Sequence, residues 1–233
     1  MARLNREETK RRTREHLLAS ARQIFAKRGF AGASVDEIAE HAGYSKGAVY
    51  SNFESKEALF LELLRDRMAD EIADLQQALK ESRSFQEVLA ALKMRYSTLE
   101  TQVTWCLLSS EFQLQAGRNP EFADAFADLY RNQRKAVAKL VTLVAEKAGA
   151  KPTWSADKIA TSLMALTHGI ALQRAADPKS VRADTAGQAL QLFLGAVLGS
   201  AEGEIRPSAG RGKESARKET KRDAAKAGSS IAN

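Results

Sequence analysis

Apolar residues recur along this chain at helical spacing, and serines, glycines and short polar runs interrupt them at intervals. In 13–28, Leu17, Leu18, Ala21, Ile24 and Phe25 make one stripe that stops at Gly29, which predicts an amphipathic helix closed by a glycine. Ser34-Val-Asp-Glu37 has capping-box spacing, so a second helix is expected from about Val35, with Val35, Ile38, Ala39 and Ala42 inward. Gly43 tolerates the positive φ of a sharp turn, and a third helix follows within a few residues. Ser45 can cap that helix, and Tyr44 and Val49 stand at the two positions of a hydrophobic staple.

Beyond Phe53 the periods lengthen. Ser55 can cap a helix over 56–80 with a broad apolar face that includes Leu59, Leu64, Met68, Ile72, Leu75 and Leu79. Ser84-Phe-Gln-Glu87 repeats the capping box before a helix over about 85–100, and another is expected over roughly 102–116. Asn119-Pro120 places a cap and an N1 proline at the start of a long helix that Gly149 and Pro152 close. Helices over about 155–176 and 181–199 flank Asp177-Pro178. The expectation is nine helices and an all-α fold, with a helical head at 1–56 that includes an N-terminal arm and a helical body at 57–200. Residues 201–233 hold Ile205 and Ile231 as their only large apolar residues, and are expected to form a disordered basic tail.

Composition narrows the classes. A single cysteine, Cys106, excludes an internal disulfide framework and a cysteine-based zinc site and points to a reducing compartment, so a cytoplasmic location is expected. The charged start MARLNREETKRR does not read as a signal peptide. The uncharged stretches 159–173 and 188–201 fall short of the roughly 18–20 apolar residues that cross a bilayer, so no membrane association is expected. The formal charge of +7 is uneven: +4 over 1–56, zero over 57–200 and +3 over 201–233. Because phosphate attraction is long-ranged and independent of base sequence, the basic ends suit a polyanion at the N-terminal end.

Two short helices joined by a glycine turn, 34–42 and 46–52, match a helix-turn-helix, whose second helix enters the major groove. With Val49 and Phe53 inward, that second helix presents Lys46, Gly47, Tyr50 and Ser51 outward: a cation, an approachable backbone, a phenol and a hydroxyl. The free amides around Ser45 add a partial positive charge at the same end. Glycine inside a helix costs about 1 kcal/mol relative to alanine, so Gly47 suggests close approach of a backbone or of DNA. Upstream, Arg3, Arg6, Lys10, Arg11, Arg12 and Arg14 could follow phosphates or reach a minor groove, or form a solvated basic leader.

The run LLASARQIFAKRGFAGASVDEIAEHAGYSKGAVYSNFESKEALFL, Leu17 to Leu61, resembles the N-terminal DNA-binding domain of TetR-type transcriptional regulators, with spacing kept throughout. Weaker resemblance continues through LSSEFQLQAGRNPEFADAFADLYRNQR at 108–134 and GIALQRAADP at 169–178. The resemblance implies a homodimeric regulator, most often a repressor, that binds a palindromic operator in double-stranded DNA and is released by a small molecule. Position by position it implies phosphate contacts at Ser34, Tyr50 and Lys56, and groove contacts at Ser45, Lys46, Gly47, Ala48 and Ser51. Ala48 stands where threonine is frequent and Asn52 where histidine is frequent, so the operator is harder to infer than the docking.

For the body, expected effector contacts are Met94, Trp105, Leu108, Phe112, Phe126, Met164 and His168, chosen as bulky or polar residues on middle helices of a bundle. Zero net charge over 57–200 suits an apolar or weakly polar effector. Helices at about 155–176 and 181–199 carry the apolar faces expected to pair with a second copy, with Gly169, Ala189, Gly195 and Ala196 permitting close approach. The proposed release mechanism is a swing of the helix at 56–80 that changes the spacing of the two reading heads. No HExxH or phosphate-cradling glycine loop is present, and neither catalytic residues, metal nor cofactor is expected. A sequence-blind architectural DNA protein is the alternative; a specific reader should prefer its site over random duplex by about 10³ or more.

Overall fold

In a computed structural model that describes residues 6–96 and 100–198, the chain forms nine helices, with no strand among those residues. They are α1 (Arg6–Gly32), α2 (Val35–Ala42), α3 (Lys46–Tyr50), α4 (Lys56–Glu81), α5 (Phe85–Arg95), α6 (Glu100–Ala116), α7 (Pro120–Ala148), α8 (Ala156–Ala176) and α9 (Thr185–Leu198). Local chemistry sets their starts: the Oγ atoms of Ser34, Ser45, Ser55 and Ser84 each accept the amide three residues on, and Asn119 Oδ1 accepts that of Glu121. The tail expected at 201–233 and the first five residues, Arg3 among them, lie outside the described residues.

Two expectations change. The helix expected over 13–28 begins at Arg6, so Arg6, Lys10, Arg11, Arg12 and Arg14 stand on α1 and do not form an extended arm. Arg14 is committed to the fold: its Nε donates to Glu62 Oε1 at 2.9 Å, Nη2 to Glu62 Oε2 and Nη1 to the Asn52 carbonyl, with the guanidinium 4.2 Å from the Phe53 ring centre. A fork of donors on one carboxylate and one carbonyl locks α1, the end of α3 and α4 together. Gly29 has left-handed φ (75°) as expected of a helix end, but the chain kinks there and helical turns resume through Gly32.

Two apolar clusters form. The first joins Leu17, Phe25, Ile38, Val49 and Phe53 of the three N-terminal helices to Phe60 and Leu64 of α4, Leu108 and Phe112 of α6 and Phe126 of α7. Its centre is a set of rings: Phe60 meets Phe25 edge-on at 5.3 Å and stacks on Phe112 at 4.8 Å, and Phe112 meets Phe30 edge-on at 4.9 Å. Packing therefore runs without interruption past residue 56, where the sequence suggested that the head ends. The second cluster binds Leu75 and Leu79 of α4, Val88 and Leu89 of α5, Val141 and Val144 of α7, Ile159 of α8 and Leu190 and Leu194 of α9. At its edge α9 lies on α5 at Gly187, where a Cβ would meet the Lys93 carbonyl oxygen at 2.5 Å.

Candidate nucleic-acid interface and ligand cavity

The helix-turn-helix is α2, a turn through Gly43, and α3. Gly43 at φ 76° gives its amide to the α2 carbonyls of Ala39 and Glu40, and Val49 and Phe53 anchor α3 inward. What remains on the surface is Ser34, Ser45, Lys46, Gly47, Tyr50 and Ser51, all exposed, with Tyr50 at 49% relative exposure. Lys46 and the three serines have resting partners. Lys46 Nζ donates to Asp36 Oδ2 at 2.8 Å, and that hydrogen bond, helped by the Asp36 charge, raises the Lys46 pKa and keeps the amine cationic. Ser51 Oγ donates to the Ala48 carbonyl at 2.9 Å, and Ser34 and Ser45 accept their capping amides while keeping a hydroxyl proton to give. A Cβ at Gly47 would meet only Ser45 Oγ, at 3.7 Å, so nothing in the described chain demands glycine there.

Three further residues from the sequence reading are half-buried. Ala48 lies at the rim of the exposed face. Asn52 folds back on α3, its Nδ2 donating to the Ala48 carbonyl at 2.8 Å, and its Oδ1 is buried without a partner among the described residues. Lys56 points into the head, where Nζ donates to the carbonyls of Phe30 at 2.9 Å and Ala33 at 3.1 Å and sits 4.5 Å from the Phe30 ring centre. In this arrangement its charge stabilises the turn between α1 and α2.

The body holds a cavity of about 640 Å³, open on one side and bounded by α4, α5, α6, α7, α8 and α9. Along α4 its wall runs from Leu64 to Leu79, about 22 Å at helical rise. One end is apolar, formed by Leu75, Leu79, Val141, Val144, Leu190 and Leu194. The other carries Arg67, Glu71, Tyr96, Cys106, Ser109 and Tyr130. Tyr96 Oη donates to Glu71 Oε1 at 2.8 Å, and burial followed by the Glu71 charge lifts the phenol pKa well above its usual value. Arg134 also lines the cavity, with its Nε on Asp157 Oδ1 at 3.2 Å.

Of the seven residues expected at the effector, Trp105, Met164 and His168 line this cavity. Leu108, Phe112 and Phe126 instead fill the ring cluster between the N-terminal helices and the body. Met94 is 74% exposed: α5 packs through Val88, Leu89, Leu92 and Tyr96, and two residues of helix, about 200°, turn position 94 away from that seam. His168 is half-buried with its pKa lowered by burial, which keeps the ring neutral. Its Nε2 lies 3.0 Å from Ser110 Oγ, whose proton goes to the Cys106 carbonyl. Sequence reading missed Arg67, Glu71 and Arg134. The first two had a signal, because ionic residues four apart beside Leu64, Met68 and Leu75 mark an apolar helix face with charge set into it.

Cys106 is held as an unreactive thiol. Burial, then the Glu71 charge, push its pKa up to about 12, with Arg67 opposing. At pH 8 the thiolate is on the order of one part in 10⁴, so modification by a disulfide reagent should be at least about 100-fold slower in the native protein than in urea. Equal rates in the two states would show that the cavity wall at α6 is open.

Residues 17–63 match the profile of the tetR family of bacterial regulatory proteins, and residues 86–199 that of the C-terminal part of BetI-type transcriptional repressors. The HTH-type transcriptional repressor BepR of Brucella suis is 30% identical over 166 residues, spanning 67% of this chain and 78% of that protein. The repressor AcnR of Corynebacterium diphtheriae is 42% identical over 64 residues, 26% of this chain and about a third (34%) of AcnR. Among solved structures, a transcriptional regulator of Rhodococcus sp. Rha1 superposes with a TM-score of 0.65 at 25% identity, covering 79% of this chain and 95% of that one. A regulator from Saccharomonospora viridis in complex with choline shares the fold at a TM-score of 0.62 and 24% identity, covering 78% and 94% of the two chains.

Proposed function

The chain belongs to the tetR family of bacterial regulatory proteins, and from that premise we propose that it is a DNA-binding transcriptional repressor, a homodimer on a palindromic operator that a small molecule in the body cavity releases. The observation that carries this reading is the exposed polar face of α3, Lys46, Gly47, Tyr50 and Ser51, held on a helix-turn-helix whose apolar side shares one core with α4 and α6. The relatives named repressors support the sign of regulation. Ser34, Ser45, Lys46, Gly47, Ala48, Tyr50, Ser51, Asn52 and Lys56 form the proposed DNA surface. Asn52 and Lys56 serve it from behind, by fixing the end of α3 and the turn before α2.

The proposed effector is an amphiphile, a refinement of the apolar or weakly polar molecule expected from net charge. An apolar body suits the end at Leu75, Val144 and Leu194, and a polar head suits the end at Arg67, Glu71 and Tyr96. The volume of about 640 Å³ lies within the range of roughly 300–1,000 Å³ usual for small-molecule sites. Dimerisation is proposed through α8 and α9. Leu192 is 74% exposed there, Leu163, Leu166, Phe193 and Val197 are only partly buried, and a Cβ at Gly169 or Gly195 would touch nothing within 4 Å. Among the described residues no helix is long and apolar enough to cross a membrane, which fits a DNA-binding regulator.

The test is protection of the DNA flanking its own reading frame, followed by competition with random duplex at fixed salt; a preference below about tenfold would favour the sequence-blind alternative. Tyr50→Phe should weaken all duplexes alike. Lys46→Ala should change the ranking of operator variants, with a loss of about 1–3 kcal/mol at the base pair it reads. A loss spread evenly over all variants would make Lys46 a phosphate contact.

A further inference from the structure

The α1–α2 junction is held by a side chain that comes from the cavity wall. At Gly29 the helical backbone breaks (φ 75°, ψ 172°), and the amides just beyond it lose their helical acceptors. Glu111 of α6 supplies replacements: Phe30 N donates to its Oε2 and Ala31 N to its Oε1, each at 2.7 Å. The fit is close, because a Cβ at residue 29 would stand 2.9 Å from Oε2. From the other side Lys56 holds the carbonyls of Phe30 and Ala33, and Ala33 leads directly into Ser34, the cap of α2. On α6, Trp105, Cys106 and Ser109 face the cavity, and Glu111 and Phe112 face the junction.

We propose that Glu111 is the positioning residue that couples the cavity to the reading head: an occupant that displaces α6 moves the carboxylate, frees the amides of Phe30 and Ala31, and loosens the entry into α2. Three geometric facts support it. Both carboxylate oxygens are used, so a small shift of α6 strains two hydrogen bonds to one peptide segment. That segment starts at a backbone kink, the place where a helix yields at least cost. The contact also links the two ends of the molecule without passing through α4. The inference rests on the proposed release by a cavity ligand, and supplies its route.

The test uses the full chain carrying Trp154→Phe, which leaves Trp105 as the single indole, so that its emission reports entry of the probe anilinonaphthalene sulfonate into the cavity. Met164→Trp, which enlarges a side chain already on the wall, is measured in parallel as an encoded occupant. Occupation is expected to accelerate amide exchange at Phe30 and Ala31 by about tenfold and to weaken binding to the duplex upstream of the reading frame by about 5- to 100-fold. Glu111→Gln should bind probe within about threefold of the parent, exchange these amides rapidly from the outset, hold the duplex about as weakly as the occupied parent does, and show no more than about a twofold further response of DNA affinity to either occupant. Exchange at 30 and 31 that ignores both occupants, or a Glu111→Gln protein that sheds DNA as fully as its parent, overturns the proposal. Accelerated exchange with unchanged DNA affinity in the parent leaves the mechanical link standing and refutes release by a cavity ligand.

Discussion

Replacing Phe60 by alanine should cost about 3–5 kcal/mol of unfolding free energy, the range for removing a fully buried aromatic side chain. Phe60 is wholly inaccessible and touches Phe25 and Phe30 of α1 and Phe112 of α6. Three rings, Phe25, Phe30 and Phe112, pack against it, and stiff neighbours of that kind fill a vacated site only in part. The effect should extend beyond stability. Phe60 joins the N-terminal helices to the body, so loss of the ring should also raise amide exchange in α1 and α2 and reduce DNA affinity below the melting range. Urea unfolding at constant protein concentration, followed by far-ultraviolet circular dichroism, reads the first effect, since dimerisation makes midpoints depend on concentration. A loss under about 1 kcal/mol would mean that head and body do not share one core.

Gly187→Val should be nearly as damaging, for a different reason. In an exposed helix, replacing glycine gains up to about 1 kcal/mol for alanine and somewhat less for β-branched valine. Here a Cβ meets backbone, the Lys93 carbonyl oxygen at 2.5 Å and Cα at 3.0 Å, and no rotamer change relieves that. Helix α9 must move off α5, opening a cluster that includes Val88, Leu89, Leu190 and Leu194. Overpacking commonly costs about 1–3 kcal/mol, and a backbone obstacle belongs at the top of that range or above it. For a chain of this size each kcal/mol lowers the melting temperature by about 2–4 °C, so a fall of about 6–10 °C is expected for valine and less for alanine. If α9 carries the dimer face, the self-association constant should fall in the same samples, measured by sedimentation. A melting temperature unchanged within 1–2 °C would place α9 elsewhere than on α5.

The caps illustrate how far the sequence carries. Ser34, Ser45, Ser55, Ser84 and Asn119 were legible as helix starts because a cap is a contact between residues two or three apart, and Gly43 as a turn because the requirement for positive φ belongs to one residue. The face of α3 was legible for the same reason: once Val49 and Phe53 are inward, helical geometry fixes where Lys46, Tyr50 and Ser51 point. The cavity was less so. Trp105 and Phe112 are both buried on α6, seven residues apart and thus on similar faces, yet the first lines the cavity and the second lies in the ring cluster. What separates them is the level along α6: the rings of Phe30 and Phe60 reach it at Phe112.

The sequence by itself therefore determined an all-helical chain, the capped starts of α2, α3, α4, α5 and α7, the helix-turn-helix and the polar face of its second helix, all through interactions within about one or two turns. The tertiary structure decided the rest: Arg14 as a lock between α1 and α4, Lys56 turned inward, Glu111 on the junction at Gly29, and the charged pair Arg67 and Glu71 at one end of the cavity. These are contacts between residues about 25 to 80 apart, or the common boundary of several helices. Their partners are set by the register in which helices cross, which depends on how all the side chains at a seam fit together and leaves no periodic trace in any one segment.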